Sequence, residues 1–380
     1  ILDRTPVPWY SCIWYSRTHK RAQPDARYHR GAILPIVDHR ELYRLAHKFL
    51  CQAGAPDENA GRVARALVLS NLKGVDSHGV MRLPQYLEQI HEGYVIPDAL
   101  PEVVRETAST AVVDGQRAFG HIVAERATKI ALEKAQAHDL AAVTLYNTRH
   151  IGRIGEYVEM AADEGLIGFA FCSAVSQVAP HGGRGRILGT NPLAIGIPSE
   201  GQYPFILDYA TSTLSEGKVR LARDKGLELP PGTILDVQGR PSNRPQDLYD
   251  GGTLLPLGTY KGYGLNLAIQ ILGSLLAKGG TPLLDQPAVG NGALIMLLRP
   301  GAFCDPDELR GQAWALCQAV KTSALREGFA EILVPGEPEY RAEEERRAKG
   351  IYIADVTWHT LESAGLSIGM TANDFLPRDE

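Results

Sequence analysis

The sequence turns between two predicted helices at D-S-H-G-V-M-R-L-P-Q-Y, residues 76–86. Upstream of this stretch, apolar side chains recur at helical spacing over residues 38–54 and again over residues 56–74. Within the stretch, Arg82 and Tyr86 stand four residues apart and would share one face of a third helix. The N-terminal part of the ordered chain is therefore predicted to be helical.

Runs rich in β-forming residues and helical stretches alternate over the middle of the chain. Strands are predicted, in order, at residues 103–113, 142–145, 167–172, 193–197, 204–207 and 293–298, with helices at 121–138, 155–164 and 261–278. A helix over 305–326, a strand over 330–334 and polar helical segments follow. This order predicts a helical N-terminal part, a mixed α/β centre and a helical C-terminal part.

Composition limits the class of protein. The 380 residues are 44% hydrophobic and 22% charged, which is typical of a two-domain globular protein and excludes disorder, collagen and a coiled coil. The net charge is −5, and because residues 1–33 are basic, the rest of the chain is more acidic still. That charge argues against nucleic-acid binding, and no apolar run approaches the roughly 20 residues that a membrane span needs.

The cysteines and residues 1–33 indicate in which cellular compartment the protein is expected. The five cysteines never show C-x-x-C spacing, which argues against a disulfide framework and a structural zinc site. We therefore expect a reduced, cytoplasmic protein. Residues 1–33 lack the apolar core of a signal peptide and are predicted to be an unstructured leader, with a mitochondrial transit peptide as the alternative.

The common nucleotide-binding motifs are absent. The run nearest to G-x-G-x-x-G, residues 183–189, has one residue too many before its third glycine. The P-loop pattern fails because Gly217-Lys218 is followed by Val219, and Ser212 stands where the first glycine belongs. The G-x-S-x-G nucleophile elbow is missing as well. A Rossmann or Walker site is therefore not supported.

Residues 76–86 combine side chains that suit a small acid. His78 can donate or accept a proton near neutral pH, and the planar guanidinium of Arg82 matches a carboxylate in bidentate fashion. Together they suit a small 2-oxo or 2-hydroxy acid. The structural alternative is that Ser77 caps the third helix and Arg82 forms a surface ion pair.

Three further segments carry polar groups beside predicted strands and helices. His150 follows a strand directly, in a polar loop of the kind that often holds catalytic groups. Asp208 ends an apolar strand, and Ser and Thr residues follow whose helix could face the phosphates or ribose hydroxyls of a cofactor. Lys261 lies among glycines that let the backbone approach a negative group. Each also has a structural interpretation: a hydrogen-bonded histidine, a helix cap and a glycine-rich turn.

Taken as an ordered set, these segments resemble one protein family. The motifs are D-S-H-G-x-x-R-x-x-x-Y, x-x-H-x-G, G-T-N-P, D-x-A-T-S, Y-K-G-Y-G-L and P-G-E, the last at residues 335–337. Over about residues 35–370 the chain is similar to the malate/L-lactate dehydrogenase-like, NAD(P)-dependent oxidoreductases. That family includes ureidoglycolate dehydrogenase, diketogulonate reductase and piperideine-2-carboxylate reductase.

The resemblance implies the fold and the assembly. The fold would be α+β, with a non-Rossmann nicotinamide-binding α/β domain and a helical domain formed from both termini. The corresponding boundaries are 34–107 for the N-terminal part of the helical domain, 108–298 for the central cofactor-binding domain and 299–380 for the C-terminal part. NAD or NADP is the implied cofactor, and a homodimer is the implied assembly.

The resemblance also implies roles for individual residues. Ser77, His78 and Arg82 would bind the substrate's carboxylate and carbonyl, with Tyr86 nearby, and no metal is expected. His78 and His150 match the two positions that serve as proton donor or acceptor in different members. The residues expected to contact the cofactor are Ser173, Ala174, Asn191, Asp208, Tyr209, Ala210, Lys261, Gly262, Gly336 and Glu337.

Two positions depart from the family's pattern. Ser173-Ala174 stands where the family often has Asn followed by a small residue, so one side-chain contact to the cofactor would be missing. Thr259 replaces a usual glycine before Lys261, which would tighten or shift that loop.

The predicted reaction is hydride transfer between NAD(P)H and the C2 carbon of a small 2-oxo or 2-hydroxy acid. Three alternatives stay open on sequence grounds. The chain could be a cyclic-imine reductase of the piperideine-2-carboxylate type, or a binding protein that keeps the fold without turnover. A metal-dependent hydrolase would instead gather His78, His150, His181 and Asp208 around an ion, although their spacing offers no ligand motif.

Overall fold

The structure, a computed structural model, describes residues 36–224, 226–284 and 290–375, so the predicted leader lies outside the described residues. The helices of the described part are α1 (His39–Gln52), α2 (Asp57–Leu72), α3 (Leu83–His91), α4 (Gly120–His138), α5 (Gly155–Asp163), α6 (Glu216–Asp224), α7 (Pro245–Tyr249), α8 (Tyr260–Gln270), α9 (Pro306–Lys321), α10 (Glu337–Lys349) and α11 (Asp355–Ser367). The strands are β1 (Ile36–Val37), β2 (Glu102–Glu106), β3 (Thr110–Asp114), β4 (Leu140–Thr148), β5 (Ile167–Cys172), β6 (Pro192–Ile197), β7 (Phe205–Ala210), β8 (Ile234–Leu235), β9 (Pro241–Ser242), β10 (Thr253–Leu254), β11 (Asn291–Leu298) and β12 (Ile351–Tyr352).

A seven-stranded mixed sheet forms the centre of this α/β structure, in the order β2-β3-β4-β11-β5-β6-β7. β3 and β4 pair in parallel, and the other neighbours are antiparallel. Helices α4 and α5 pack against the sheet, where Val123 and Ala127 of α4 share one core with Val143 of β4 and Ile295 of β11. The many alanines of α4 let the helix lie close to the strands.

A second core joins the first helices to the end of the described chain. Leu42 and Phe49 of α1 and Leu67 of α2 are buried together with Ile351 of β12 and Leu361 of α11. β1 pairs with β12 in antiparallel fashion. The helical part is thus assembled from both ends of the described chain, while the domain boundaries given above stay a prediction.

A third, smaller core lies beside the sheet. The three-stranded sheet β10-β8-β9 packs with α6 and α7, and Val219, Ile234, Leu248 and Leu254 are buried between them. The first turn of α6 lies directly against residues 76–86. A β-carbon added to Gly217 would be only 2.3 Å from Cβ of Ser77.

Most of the predicted helices and strands are present, and one strand prediction is wrong. Residues 330–334 form no strand. Their apolar side chains lack a partner strand, and the segment ends against β7 instead, where Ile206 N donates to Pro335 O at 3.3 Å. The predicted strand over 103–113 is a pair, β2 and β3.

Four predicted boundaries also shift. Arg82 precedes α3, because Pro84 fits only the first turn of a helix. The helix over 261–278 ends at Gln270, where a π turn takes over, and the helix over 305–326 ends at Lys321. Asp208 lies inside β7 rather than at its end, and no helix begins until Glu216.

Candidate active site

The stretch over residues 76–86 folds as two single 3₁₀ turns followed by α3. Buried Asn71 holds it in place, since its Oδ1 accepts from Val80 N at 2.9 Å and its Nδ2 donates to Asp76 Oδ1 at 2.8 Å. Gly79 lies directly against that amide, and a β-carbon there would meet Asn71 Oδ1 at 2.2 Å. The position therefore requires glycine. Arg346 of α10 binds Asp76 through both carboxylate oxygens, at 2.6 and 3.1 Å.

The guanidinium of Arg82 is fixed on one side and open on the other. Its Nε donates to the Ser77 carbonyl and its Nη1 to Gln85 Oε1, both at 2.7 Å. Within the described ranges, Nη2 has no hydrogen-bond partner. Burial lowers the pKa of Arg82, but an arginine keeps its charge in proteins. A positioned cation with a free donor can bind a carboxylate.

The imidazoles of His78 and His150 come together although 71 residues separate them in the sequence. Their ring centroids lie 5.1 Å apart at 28°. Ser77 Oγ is 3.0 Å from His78 Nδ1, and Tyr86 Oη is 2.7 Å from His150 Nδ1. Ser77 thus contacts the imidazole instead of capping a helix, and the hydroxyl of Tyr86 orients the ring of His150.

A third imidazole, that of His121, joins this group and was not predicted as a site residue. It lies at the start of α4, is 1% exposed, and its ring centroid is 5.9 Å from that of Tyr86 and 6.1 Å from that of His150. In the described part of the chain neither of its ring nitrogens has a hydrogen-bond partner. Gly152, at φ +79°, passes so close that a β-carbon would lie 2.5 Å from His121 Nε2. Sequence spacing carries no signal of this contact.

Burial keeps all three imidazoles neutral. It lowers the pKa of His78 to about 3, and the charges of Arg82 and Arg153 act in the same direction. Burial likewise lowers the pKa of His121 to about 3, helped by Arg62 and His78. The pKa of His150 lies well below its usual value for the same first reason. A neutral imidazole is the form of the ring that can accept a proton from a bound substrate.

Asp208 lies where β7 passes the start of α5. Its Oδ2 accepts from Gly155 N, the first residue of α5, at 2.8 Å, a favourable place for a carboxylate. Burial raises the pKa of Asp208 to about 6, against the opposing charge of Arg153. Arg153 in turn pairs with Glu159 at 2.6 Å. The carboxyl therefore changes between its acid and ionised forms near pH 6 and is mainly ionised at pH 7.

Ser173 and Asn191, two of the residues expected to contact a cofactor, use their side chains inside the protein. Ser173 Oγ accepts from Gly292 N at 3.1 Å and donates to Gly292 O at 3.2 Å. Asn191 is fully buried: its Oδ1 accepts from Ala174 N at 2.9 Å and its Nδ2 donates to Asn266 Oδ1 at 2.8 Å. The bonds of Ser173 tie the end of β5 to β11, and those of Asn191 tie the residue before β6 to Ala174 and to α8.

The remaining expected contacts lie at the starts of α8 and α10 and on β7. Lys261 is exposed in the first turn of α8, and Gly262 is pressed against the Leu257 carbonyl. Gly336, at φ +90°, caps α10 beside β7, the strand that carries Tyr209 and Ala210.

Glu337, the last residue of the P-G-E motif, is 1% exposed and is held by other side chains. It accepts from Lys321 Nζ at 2.5 Å and from Val334 N at 3.3 Å, and it also pairs with Arg341. Burial alone would raise the pKa of Glu337, but these donors lower it. Its carboxylate is therefore ionised and bound within the protein.

Two cavities lie outside the histidine group. One, of about 160 Å³, sits beside the start of α8 and is lined by two glycine-rich loops that contain Gly182, Gly183, Gly258 and Thr259. The other, of about 340 Å³, lies between the β2–β3 pair and α4 and contains none of the predicted site residues.

A possible metal-binding group occurs elsewhere. Across residues 36–224, 226–284 and 290–375, three His, Cys, Asp or Glu ligand atoms come within 4.8 Å of one another at His47, Cys51 and Asp57. Among the same residues, His78, His150, His181 and Asp208 do not form such a group. The ring of His181 contacts that of Tyr260, and Asp208 binds the start of α5.

Comparison with known proteins shows that the chain is an enzyme of the hydroxy acid dehydrogenase kind. It belongs to the malate/L-lactate dehydrogenase family, whose sequence model matches residues 37–362. Among the helices that the structure describes, none combines the length and the apolar composition that a membrane span requires.

One sequence relative and two solved structures illustrate the similarity. Hydroxycarboxylate dehydrogenase B of Escherichia coli (strain K12) is 35% identical over 88% of this chain and 94% of the relative. A putative malate/lactate dehydrogenase structure from E. coli matches with a TM-score of 0.85 and 34% identity, over 90% of this chain and 97% of that one. The Δ1-piperideine-2-carboxylate reductase structure from Pseudomonas syringae pv. tomato matches with a TM-score of 0.76 and 27% identity, over 87% and 99%.

Proposed function

We propose that this protein transfers hydride between NAD or NADP and the C2 carbon of a small 2-oxo or 2-hydroxy acid. One observation carries the proposal: an arginine with a free donor lies in the same short segment as the first of two stacked, neutral imidazoles. An acid of this kind needs one group for its carboxylate and one for the proton on its C2 oxygen, and this site has both.

Arg82 binds and orients the substrate. Its Nη2 donates to the carboxylate, while the bonds from Nε to Ser77 and from Nη1 to Gln85 keep the guanidinium from turning. A charge-assisted contact from a guanidinium that cannot turn orients the acid. Ser77 and His78 then face the C2 oxygen.

His78 or His150 moves the proton. In the oxidative direction a neutral imidazole accepts the proton of the C2 hydroxyl, and in the reductive direction the protonated ring returns it to the developing alkoxide. Tyr86 at Nδ1 of His150 leaves Nε2 of that ring for the substrate. The imidazolium that forms lies beside Arg82, so the anionic substrate that occupies Arg82 also offsets its charge.

The residues at the start of α8 fit a dinucleotide. An 11-residue helix begins at Tyr260, directly after Gly258 and Thr259 of the glycine-lined cavity, and Lys261 is exposed in its first turn, a combination that suits phosphate groups. When bound, the nicotinamide cofactor supplies or accepts the hydride. Asp208, Tyr209, Ala210, Lys261, Gly262 and Gly336 would contact it, and Ser173, Ala174, Asn191 and Glu337 would shape the wall behind it. The sheet, with a single parallel pairing among the described strands, supports binding without a Rossmann motif.

A spectrophotometric screen tests the proposal. NADH or NADPH oxidation is followed at about 340 nm against a panel of 2-oxo acids, and the reverse reaction is followed with 2-hydroxy acids. We expect turnover of at least one small 2-oxo acid. No turnover with either cofactor across the panel would contradict the proposed function.

Cyclic-imine reduction is the second candidate, supported by the similarity to the piperideine carboxylate reductase structure. The same arginine and imidazoles would bind an imine whose nitrogen replaces the C2 oxygen. Adding a cyclic imine acid to the panel, and 2-oxo acids with and without an amine, separates the two reactions.

We further propose that the enzyme is a cytoplasmic homodimer without nucleic-acid or membrane partners. Helix α9 supports the dimer, because none of its 16 residues is buried in the single chain and a partner could cover its apolar side chains. Leu316 and Val320 are 67% and 47% exposed. Light scattering on the purified protein tests this assembly.

A further inference from the structure

We propose that Glu216 neutralises Arg220 at the edge of the substrate site, so that this enzyme prefers 2-oxo acids with an uncharged side chain over 2-oxo dicarboxylic acids. The inference rests on the proposed function, because it names the substrate class of that same site.

The position of α6 places this pair next to the substrate. Gly217 lies against Ser77, where a β-carbon would come within 2.3 Å of Cβ of the serine. The carbonyl of Ser77 is the acceptor that fixes Nε of Arg82. Glu216 precedes that glycine, and Arg220 follows one helical turn later.

The two side chains form a closed ion pair. Arg220 Nε and Nη2 donate to Glu216 Oε1 at 3.1 and 2.9 Å, and Nη2 also donates to Oε2 at 3.1 Å. Tyr249 of α7 donates to Oε1 at 2.9 Å and so fixes the carboxylate from the other side. The side chain of Glu216 is only 14% exposed. Such a pair presents little net charge to a ligand.

The charges of Glu216 and Arg220 both act on the guanidinium of Arg82, which binds the substrate. Burial is the first cause that lowers the pKa of Arg82; Tyr86, Glu216 and Tyr249 raise it, and Arg220 lowers it. A second carboxylate on the substrate would therefore find the nearby cation already paired with Glu216 and would gain no net attraction to offset the loss of its own hydration. A methyl or other uncharged side chain meets no such penalty.

Two variants with opposite effects test this. Glu216→Gln keeps the size of the side chain and an acceptor for Tyr249, but it leaves the charge of Arg220 uncompensated. We expect kcat/KM for oxaloacetate relative to pyruvate to rise about tenfold over the unmodified enzyme, mainly through KM. Arg220→Gln leaves the charge of Glu216 uncompensated, and the same ratio should fall by about tenfold.

Glu345→Gln is the matched control. Glu345 pairs with Lys349 at 3.0 Å, also four residues apart, on the surface of α10. It should leave the ratio unchanged, and thermal unfolding of each variant shows whether the fold is retained. A loss of packing alone would lower turnover of both acids in both α6 variants and would not move the ratio in opposite directions.

The outcomes are separable. An unmodified enzyme that prefers oxaloacetate, or a ratio that stays within about twofold in Glu216→Gln, overturns the inference while leaving the proposed function intact. Absence of turnover with both nicotinamide cofactors contradicts the proposed function itself and this inference with it.

Discussion

At the scale of single residues, the site depends on side chains that are held by others. Ser77 fixes both Arg82, through its carbonyl, and His78, through its hydroxyl, while Tyr86 fixes His150. Each of these contacts aligns a group without adding to the chemistry. Substitutions at Arg82 should therefore affect mainly substrate binding, and substitutions at His78 or His150 mainly proton transfer.

Replacing His78 or His150 with Ala tests proton transfer. A positioned general acid or base typically contributes about 10²–10⁴ in rate, so kcat of the affected variant should fall by that order. His91→Ala, at the exposed end of α3, is the control and should retain the parental rate. If both active-site variants also kept that rate with an accepted substrate, the assignment of these imidazoles would be wrong.

Arg82→Lys tests binding of the carboxylate. Lysine offers a point charge in place of a planar fork, and it cannot keep the contacts to Ser77 and Gln85 while also reaching the substrate. We expect KM for the acid to rise by about tenfold or more, with a smaller loss in kcat. A variant with an unchanged KM would show that the acid is bound elsewhere. Initial-rate kinetics with a saturating cofactor give both constants.

At the scale of elements, close approaches between loops and helices shape the site. Gly152, directly after the His150 loop, lies against His121 at the start of α4, and Gly217 of α6 lies against Ser77. Each contact fixes the distance between a segment with polar side chains and the helix that supports it. Both therefore need a residue without a side chain.

Gly152→Ala should destabilise the protein twice over. The residue has φ +79°, and its new methyl would meet His121 Nε2 at 2.5 Å, so we expect a loss of about 2 kcal/mol or more in the free energy of unfolding. Gly165→Ala is a matched control, because φ is +75° there and nothing lies within 4 Å. It should cost about 1 kcal/mol from the backbone alone. The His121→Ala background should recover the difference, and equal losses for the two glycines would refute the contact.

Local patterns predicted the elements well wherever the decisive forces were local. Apolar periodicity predicted α1 and α2, and strand propensity predicted β5 and β11. The segment over 330–334 has the same apolar character but no neighbouring strand to pair with, so the strand predicted from its propensity does not form. The group of three imidazoles could be predicted only in part, because His121 reaches it through packing between α4 and a distant loop.

At the scale of the whole molecule, buried neutral imidazoles link stability to pH. His121 has a pKa of about 3 in the folded protein against an unfolded value of about 6.5, so between these values the unfolded chain binds the extra proton. The stability that depends on the neutral ring is complete above pH 6.5 and decreases as the pH falls. Asp208, whose folded pKa is raised, contributes the opposite slope between about pH 4 and 6.

His121→Gln should reduce the loss of folding stability that occurs as the pH falls. Because one pKa unit corresponds to about 1.4 kcal/mol, neutral His121 accounts for about 2 kcal/mol of stability lost between pH 7 and pH 5. The variant should lose that much less over the same range in urea denaturation. His359→Gln, whose side chain is 77% exposed, should show the parental slope. An unchanged slope in the His121 variant would mean that the ring is protonated in the native state.

The pairing of β1 with β12 has a consequence for how the chain folds as it is synthesised. The central sheet has all seven of its strands once β11 has left the ribosome. The helices that flank Arg82 and His78 cannot complete their core earlier, because Ile351 and Leu361 are missing from it until the last part of the described chain emerges. A nascent polypeptide that stops short of residue 351 would therefore expose the apolar faces of its first helices. Chaperones should bind preferentially to those faces.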